Sequence, residues 1–234
     1  MHEQICTVLY EDNHLLVVAK PPGLATLTGT GTHSSVHRWA QAYLRHKYGK
    51  PGRVYVGLVH RLDKPVSGVM VLARTSKAAR RLTEQFRTGK VKKIYWAVVE
   101  GIFPDQRGTL QHWLQKDKQR GYVRVESEDR AGSRLALLYY ERKAVGRGLS
   151  WLELRPQTGR THQLRAQLAD RGHPIYGDRK YGSRHGFGPA IALHAYSLAF
   201  EHPVRHEQVV FVTAPPAIWR CFSHLGIPLD LDQD

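Results

Sequence analysis

Residues 60–68 read His-Arg-Leu-Asp-Lys-Pro-Val-Ser-Gly and place one carboxylate, that of Asp63, between two cations. The proline and the glycine in this stretch disfavour regular secondary structure. The apolar runs at 54–59 and 69–73 predict a strand on each side of it. We therefore expect a loop that strands hold at both ends and that presents Asp63.

The residues around Asp63 are compatible with either a catalytic or a structural role for its carboxylate. Neighbouring positive charge favours the ionised carboxylate, which is the form that a nucleophile or a general base requires. An isolated Arg-x-Asp-Lys stretch, however, is more often a surface turn that makes an ion pair. Other parts of the sequence must decide between the two interpretations.

The chain is strongly basic. Its 234 residues include 35 Lys and Arg against 20 Asp and Glu, which gives a formal net charge of +15. Eight bases and one acid, Glu84, fall within residues 74–93; the bases are Arg74, Lys77, Arg80, Arg81, Arg87, Lys90, Lys92 and Lys93. Such a cluster predicts salt-sensitive binding of a polyanion, and a solvated surface that serves solubility is the alternative.

The cysteines and the hydropathy pattern indicate a cellular compartment. Cys6 and Cys221 lie near opposite ends of the chain, so they predict neither a disulfide framework nor a metal-binding CxxC motif. The first residues do not form a signal peptide, and no apolar run reaches the roughly 18 residues of a membrane span. We expect a cytoplasmic monomer.

Two histidine pairs have the i, i+4 spacing found in zinc sites: His33 with His37, and His202 with His206. Neither pair is accompanied by a cysteine or a downstream carboxylate ligand, so no metal site is expected. The fourteen histidines fit a base-rich surface for a polyanion better.

The remaining patterns predict an α+β fold with a large, mostly antiparallel sheet. Further strands are expected at 15–19, 94–99, 122–125, 135–142, 149–154, 193–200 and 208–213. Helices are expected after a Ser34 or Ser35 cap, after a Ser76 cap, at 161–171, and as a short turn after Pro216. Since no long linker interrupts the chain, residues 1–234 should form one domain of two closely packed lobes.

Four stretches together resemble a known family, the RluA-type RNA pseudouridine synthases. They are residues 12–24, which end in Lys20-Pro21-x-Gly23; residues 60–68; Lys93-Ile94-Tyr95; and residues 158–165 followed by 173–178. The blocks occur in the family's order over nearly the whole chain. One departure is Val66, where family members commonly have Thr, and it affects the detail of the loop.

The resemblance implies a long mixed sheet flanked by helices and loops, with a central RNA-binding cleft. It implies that Asp63 is the catalytic nucleophile and that Arg165 pairs with its carboxylate. Tyr95 matches the aromatic residue that packs on the target base and assists proton transfer, although its position alone fits a core tyrosine. Arg61 matches the side chain that occupies the place vacated by the flipped nucleotide.

Six further residues are predicted to contact RNA: His60, Lys64, Lys93, Arg160, His162 and Gln163. Arg160, His162 and Arg165 lie at the mouth of a helix after a glycine turn, where anions bind readily. Solvated helix charges are the alternative, which is weaker because Gln163 and His162 add donors on the same stretch. For Asp178 we expect a structural role that supports the active-site loop.

The predicted function is therefore the isomerisation of uridine in a ribosomal RNA or tRNA stem-loop by base flipping, without a cofactor. A separate S4-like RNA-binding domain is not expected, because the first matching block begins about a dozen residues after Met1. One alternative is a non-catalytic RNA-binding or ribosome-assembly protein. The other alternative is a nuclease or phosphotransferase that uses His162 or Asp178. Metal-dependent cleavage requires a cluster of carboxylates, and the sequence shows no such cluster near Asp63.

Overall fold

The computed structural model describes residues 5–28, 34–117, 119 and 121–230. The chain forms two compact units. The first unit comprises residues 1–92 and 195–216, and the second comprises residues 93–194 and 217–234. His33, one of the histidines considered above, lies outside the described residues.

The described elements are α-helices, strands and short 3-10 segments. In chain order the strands are β1 (Thr7–Glu11), β2 (Leu15–Lys20), β3 (Gly57–Leu58), β4 (Ser67–Ala73), β5 (Lys92–Glu100), β6 (Arg107–Asp117), β7 (Tyr122–Glu126), β8 (Arg134–Gly146), β9 (Leu149–Pro156), β10 (Leu193–Glu201) and β11 (Gln208–Val212). The α-helices are α1 (Val36–Lys47), α2 (Ser76–Arg87) and α3 (Gln163–Asp170), and the 3-10 segments are Arg179–Tyr181 and Ala217–Leu225.

In the first unit the strand order is β1-β2-β4-β10, with β3 paired to β4 and β11 paired to β10. Every residue of β4 is buried, and Val69 and Val71 share a core with Leu15, Val17 and Phe200. Antiparallel pairing aligns Lys20 with Gly68, so the end of β2 lies beside the start of β4. The loop that carries Asp63 therefore enters the sheet next to the end of β2.

Gly68 is required where that loop joins β4. Its φ is +123°, and a Cβ at this position would collide with the backbone of Ala195 in β10. Only glycine allows the two backbones to approach so closely. The close packing of β4 against β10 therefore explains why the sequence motif ends in a glycine.

Side-chain caps begin the first two helices. Ser35 caps α1 and accepts a hydrogen bond from the amide of Arg38, as predicted. Thr75, not Ser76, caps α2, accepting from the amide of Ala78. Our assignment was wrong by one residue because two consecutive hydroxyl residues stand at this helix start and the extended backbone falls on the first.

In the second unit the strand order is β5-β9-β8-β6-β7. Each strand pairs antiparallel with its neighbours in this order. A small core joins α3 to this sheet through Leu114, Val123, Ala136, Ala166 and Tyr181. The packing fixes the direction of α3 against the face of the sheet.

The α+β class is confirmed, one strand prediction needs correction, and two strands were not predicted. The strand predicted at 54–59 is reduced to 57–58, because the carbonyls of Val54 and Val56 bond to the side chains of Gln41 and His37 of α1 instead of a neighbouring strand. The sequence patterns also missed β1 and β6. In β6 only two of eleven residues are buried, so its apolar signal is weak.

Candidate active site and RNA-binding residues

The backbone on both sides of Asp63 is held by residues that follow β2. Gly23 donates its amide to the carbonyl of Lys64 at 2.8 Å. The hydroxyl of Thr26 donates to the carbonyl of Leu62 at 2.7 Å and accepts from the amide of Leu62 at 3.2 Å. These contacts fix the loop on either side of a half-buried Asp63.

Lys20 is the residue of this loop support that sequence analysis missed. Its side chain is buried, and Nζ donates to the carbonyls of Pro21 (2.9 Å), Leu24 (2.7 Å) and Lys64 (3.2 Å). Burial lowers the pKa of Lys20 to about 8, against smaller opposing effects of Cys6 and Asp63. A cation that interacts with Asp63 thus comes from the end of β2. Its signals in the sequence were its position at the end of an apolar strand and its place in the Lys20-Pro21-x-Gly23 stretch.

Replacing Lys20 with Met should destabilise the protein by about 3 kcal/mol, because three carbonyls lose a buried donor. The wild-type free energy of unfolding should also rise between pH 8 and 10.5, since there the unfolded chain retains a proton that folded Lys20 has released. Denaturant unfolding across this pH range measures both effects. The matched control is Lys64→Met, because Lys64 is exposed. Equal stability of the Lys20→Met and wild-type proteins would contradict the assignment.

The predicted RNA contacts of the loop differ in exposure. Arg61 and Lys64 are exposed and available to RNA. His60 is half-buried: its ring stacks on Phe86 with centroids 4.7 Å apart, and its Nε2 accepts from the amide of Val71 at 3.0 Å. His60 therefore anchors the loop to α2 and β4, and its contact with RNA stays a prediction.

In the second unit, Arg165 and Asp178 form a buried ion pair. Arg165 donates through Nε to Oδ2 at 2.6 Å and through Nη2 to Oδ1 at 2.8 Å, and the side chains are only 6% and 1% exposed. The guanidinium also lies over the ring of Tyr181, with Cζ 4.9 Å from its centroid. A bidentate pair of this kind fixes the plane of the guanidinium.

Tyr181 connects this ion pair to the start of α3. Its hydroxyl accepts from the amide of Val123 at 3.0 Å and bonds to Nδ1 of His162 at 2.8 Å. Burial raises the pKa of Tyr181 to about 12, so the phenol stays protonated. His162 itself has a left-handed backbone, with φ of 50°, at the N-cap of α3.

Gln163 is held by contacts within its own turn, and its predicted contact with RNA stays a prediction. The residue is 4% exposed. Its Oε1 accepts from the hydroxyl of Thr158 at 2.7 Å and from the amide of Arg160 at 3.1 Å, and its Nε2 donates to the carbonyl of Leu137 at 3.1 Å. Arg160 is exposed, although its Nε donates to the carbonyl of Leu135.

Tyr95 and Lys93 lie on the same face of β5, because residues two apart in a strand point the same way. Tyr95 is half-buried and pairs with Leu154 of β9. Lys93 is also half-buried, and burial lowers its pKa. The two side chains therefore place a phenol and an amine on one side of the second unit.

The basic cluster of residues 74–93 is smaller at the surface than the sequence suggests. Arg74 pairs with Glu11, Arg81 donates to the carbonyl of Pro203, and Arg87 pairs with Glu84. Within this cluster, all of whose residues are described, four exposed cations have no ion-pair partner: Lys77, Arg80, Lys90 and Lys92. These four form the exposed basic surface of the first unit.

Within residues 5–28, 34–117, 119 and 121–230, no group of three or more His, Cys, Asp or Glu side chains could hold a metal ion. His37 bonds to the carbonyl of Val56, and His202 bonds to Asp12. Among the same residues, none of the helices combines the length and apolar character needed to cross a bilayer.

Comparison with known proteins identifies the family. A family described as RNA pseudouridylate synthase matches residues 14–170. An uncharacterized RNA pseudouridine synthase of Aquifex aeolicus is 33% identical over 226 residues, which cover 91% of this chain and 70% of the relative. The ribosomal large subunit pseudouridine synthase D of Xylella fastidiosa is 36% identical over 223 residues, which cover 89% and 66%.

The solved structures agree with the sequence comparisons. The structure of human RNA pseudouridylate synthase domain containing 4 matches with a TM-score of 0.76 at 26% identity, covering 93% of this chain and 92% of that one. The chain spans about two thirds of the length of the two curated relatives described above. It has the pseudouridine synthase fold and belongs to the RNA pseudouridine synthase family, the isomerases that convert uridine in RNA to pseudouridine.

Proposed function

We propose that this chain isomerises uridine in ribosomal RNA and that Asp63 is the residue that starts the reaction. The observation that carries the proposal is the fixed backbone around Asp63. Residues 20–26 hold both neighbours of Asp63. Such restraint is expected of a catalytic group, because a displacement of about 1 Å can reduce a rate about 100-fold.

The reaction breaks the bond between C1′ and N1 of uridine and forms a bond between C1′ and C5. The hydrogen of C5 is lost as a proton, and N1 gains one, so no atoms are added overall. Asp63 begins this sequence either by attacking the sugar or by removing a sugar proton. Both routes need the ionised carboxylate. Because the conversion is an isomerisation, it consumes no external reagent, and we propose that it needs no cofactor.

Arg165 and Tyr95 are proposed to act on the same uridine. The family resemblance assigns Arg165 to the catalytic carboxylate, and its bidentate bond to Asp178 supports a fixed guanidinium orientation. A guanidinium partner is needed because an unpaired carboxylate in a closed pocket would take up a proton. Tyr95 is proposed to pack on the base through its ring.

The target nucleotide is proposed to flip out of its stem-loop, because a stacked uracil is inaccessible to the carboxylate. Unstacking costs a few kcal/mol, which contacts with phosphates must offset. Exposed Arg61, Lys64 and Arg160 and the basic surface of the first unit can supply these contacts. RNA binding should therefore weaken steeply as salt increases.

Large-subunit ribosomal RNA is the favoured substrate, because relatives from Xylella fastidiosa and Zymomonas mobilis carry the name ribosomal large subunit pseudouridine synthase D. For the present chain we propose large-subunit ribosomal RNA as the substrate, with tRNA as the alternative. We also propose that the protein acts in the cytoplasm as a monomer.

The test is to map pseudouridine in ribosomal RNA and tRNA from cells with and without this gene, and then to restore each lost site with the purified protein. At least one site in large-subunit ribosomal RNA should disappear and return, with the RNA uncut and with a metal chelator present. Loss of a tRNA site alone would move the substrate to tRNA. An unchanged pseudouridine map together with preserved RNA binding would favour a non-catalytic RNA-binding protein.

A further inference from the structure

A cavity of about 600 Å³ opens in the second unit beside the end of β5. The turn between β8 and β9, residues 172–176 and the 3-10 segment Ala217–Leu225 surround it. Its lining includes Glu100, Arg147, Tyr176, Arg184, His185 and His224. The volume falls within the range of roughly 300–1,000 Å³ found for small-molecule sites.

The lining carries an excess of positive charge. Among the described residues, the exposed guanidinium groups of Arg147 and Arg184 have neither an ion-pair partner nor a hydrogen-bond partner. The one carboxylate, Glu100, is already occupied: it accepts from the hydroxyl of Ser183, from the amide of Arg184 at 3.1 Å and from Nδ1 of His185 at 3.0 Å. Two cations therefore remain without a counter-charge.

Arg147 occupies a backbone position that does not favour arginine. It is the first residue of the two-residue turn between β8 and β9, with φ of 51°, and Gly148 follows with φ of 73°. Turns of this geometry prefer Asn, Asp or Gly, and the left-handed backbone costs other residues about 1–2 kcal/mol. The backbone conformation of the turn therefore does not explain why position 147 is an arginine.

His224 contributes its imidazole ring to the lining of the cavity. Both of its ring nitrogens are buried and lack a hydrogen-bond partner in the described part of the chain. A neutral imidazole always carries one N–H, and an unsatisfied buried donor costs about 1–3 kcal/mol. Because both nitrogens are buried, a ligand in the cavity does not reach them in this conformation.

The cavity lies away from Tyr95, one of the side chains proposed for the isomerisation. Glu100 lies five residues after Tyr95 on β5, which is roughly 16 Å along a strand. Side chains an odd number of residues apart point to opposite faces of a sheet, so Glu100 and Tyr95 face opposite sides. A molecule in the cavity therefore does not touch Tyr95.

We propose that this cavity binds a phosphate-bearing ligand of nucleotide size. The phosphate lies between the guanidinium groups of Arg147 and Arg184, because phosphate oxygens match their donor geometry. The ligand is either a nucleotide of the bound RNA away from the target uridine or a free nucleotide. This site does not depend on the proposed role of Asp63.

The test uses the full chain and three variants. Arg147→Gly suits the left-handed backbone, and Arg184→Ala removes the other cation. Arg134→Ala is the charge-matched control, because Arg134 is exposed at the start of β8 and does not line the cavity. Calorimetry measures the affinity of each protein for uridine monophosphate and inorganic pyrophosphate. Filter binding measures the affinity for a short stem-loop RNA at several salt concentrations.

Each cavity variant should weaken binding of the phosphate ligand about tenfold, and the control should change it less than about twofold. If RNA supplies the phosphate, Arg147→Gly also lowers the salt slope of RNA binding by about one. If a free nucleotide supplies it, uridine monophosphate binding weakens and RNA binding does not change. Equal affinities of the wild-type and cavity variants for uridine monophosphate, pyrophosphate and RNA would overturn the proposal. These binding measurements remain informative even if the chain forms no pseudouridine.

Discussion

Pseudouridine formation is expected to fall by at least about four orders of magnitude in an Asp63→Asn variant, while the dissociation constant for RNA changes less than about threefold. The amide keeps the shape of the side chain and removes the charge that either route requires. The proposed RNA contacts lie at other side chains, so binding should survive. Single-turnover assays with saturating RNA measure the chemical step apart from binding.

A surface substitution of the same kind provides the control for this experiment. Asp129 is exposed and accepts a hydrogen bond from Ser133, so Asp129→Asn should retain the wild-type rate. If Asp63→Asn also retains its rate, the proposed mechanism is wrong and Asp63 is a structural turn residue. If the variant loses both activity and RNA binding, its thermal unfolding must be compared with that of the wild type to detect a folding defect.

An Asp178→Asn variant is expected to form pseudouridine about 100-fold more slowly and to lose about 3 kcal/mol of stability. The loss of rate follows from a guanidinium that is no longer held in one plane. The loss of stability follows because Arg165 stays buried after its charged partner is removed. Single-turnover rates and denaturant unfolding measure the two effects separately.

A double-mutant cycle distinguishes positioning of Arg165 from a general effect on folding. If Asp178 acts through Arg165, then Asp178→Asn in an Arg165→Met background should cause little further loss of rate. The matched control is Asp170→Asn, because Asp170 is a half-exposed carboxylate at the end of α3. Additive losses in the cycle would contradict a positioning role for Asp178.

Much of the local structure was predictable because it depends on residues close in sequence. The apolar runs predicted β2 and β4, and a hydroxyl residue before an amphipathic stretch predicted the start of α1. The patterns failed where contacts from elsewhere decide the structure. Val54 and Val56 look like strand residues, but side chains of α1 take up their carbonyls.

The surroundings of the predicted site were hard to derive from the sequence for the same reason. The sequence identifies Asp63 and its loop, and charge alone suggests Arg61 and Lys64 as its cations. The structure instead buries Lys20, which lies 44 residues before Lys64, beneath the loop. It also shows that Gln163 is held within its own turn.

The sequence by itself determined the α+β class, the basic character of the chain and the motif that indicates an RNA pseudouridine synthase, because these depend on composition, periodicity and short spacings. Only the tertiary structure decided which charged groups meet. Asp178 was a candidate structural residue in the sequence, and packing joined it to Arg165 and Tyr181. Burial of a charged group requires partners on several chain segments at once, and the positions of those partners depend on how the whole unit packs.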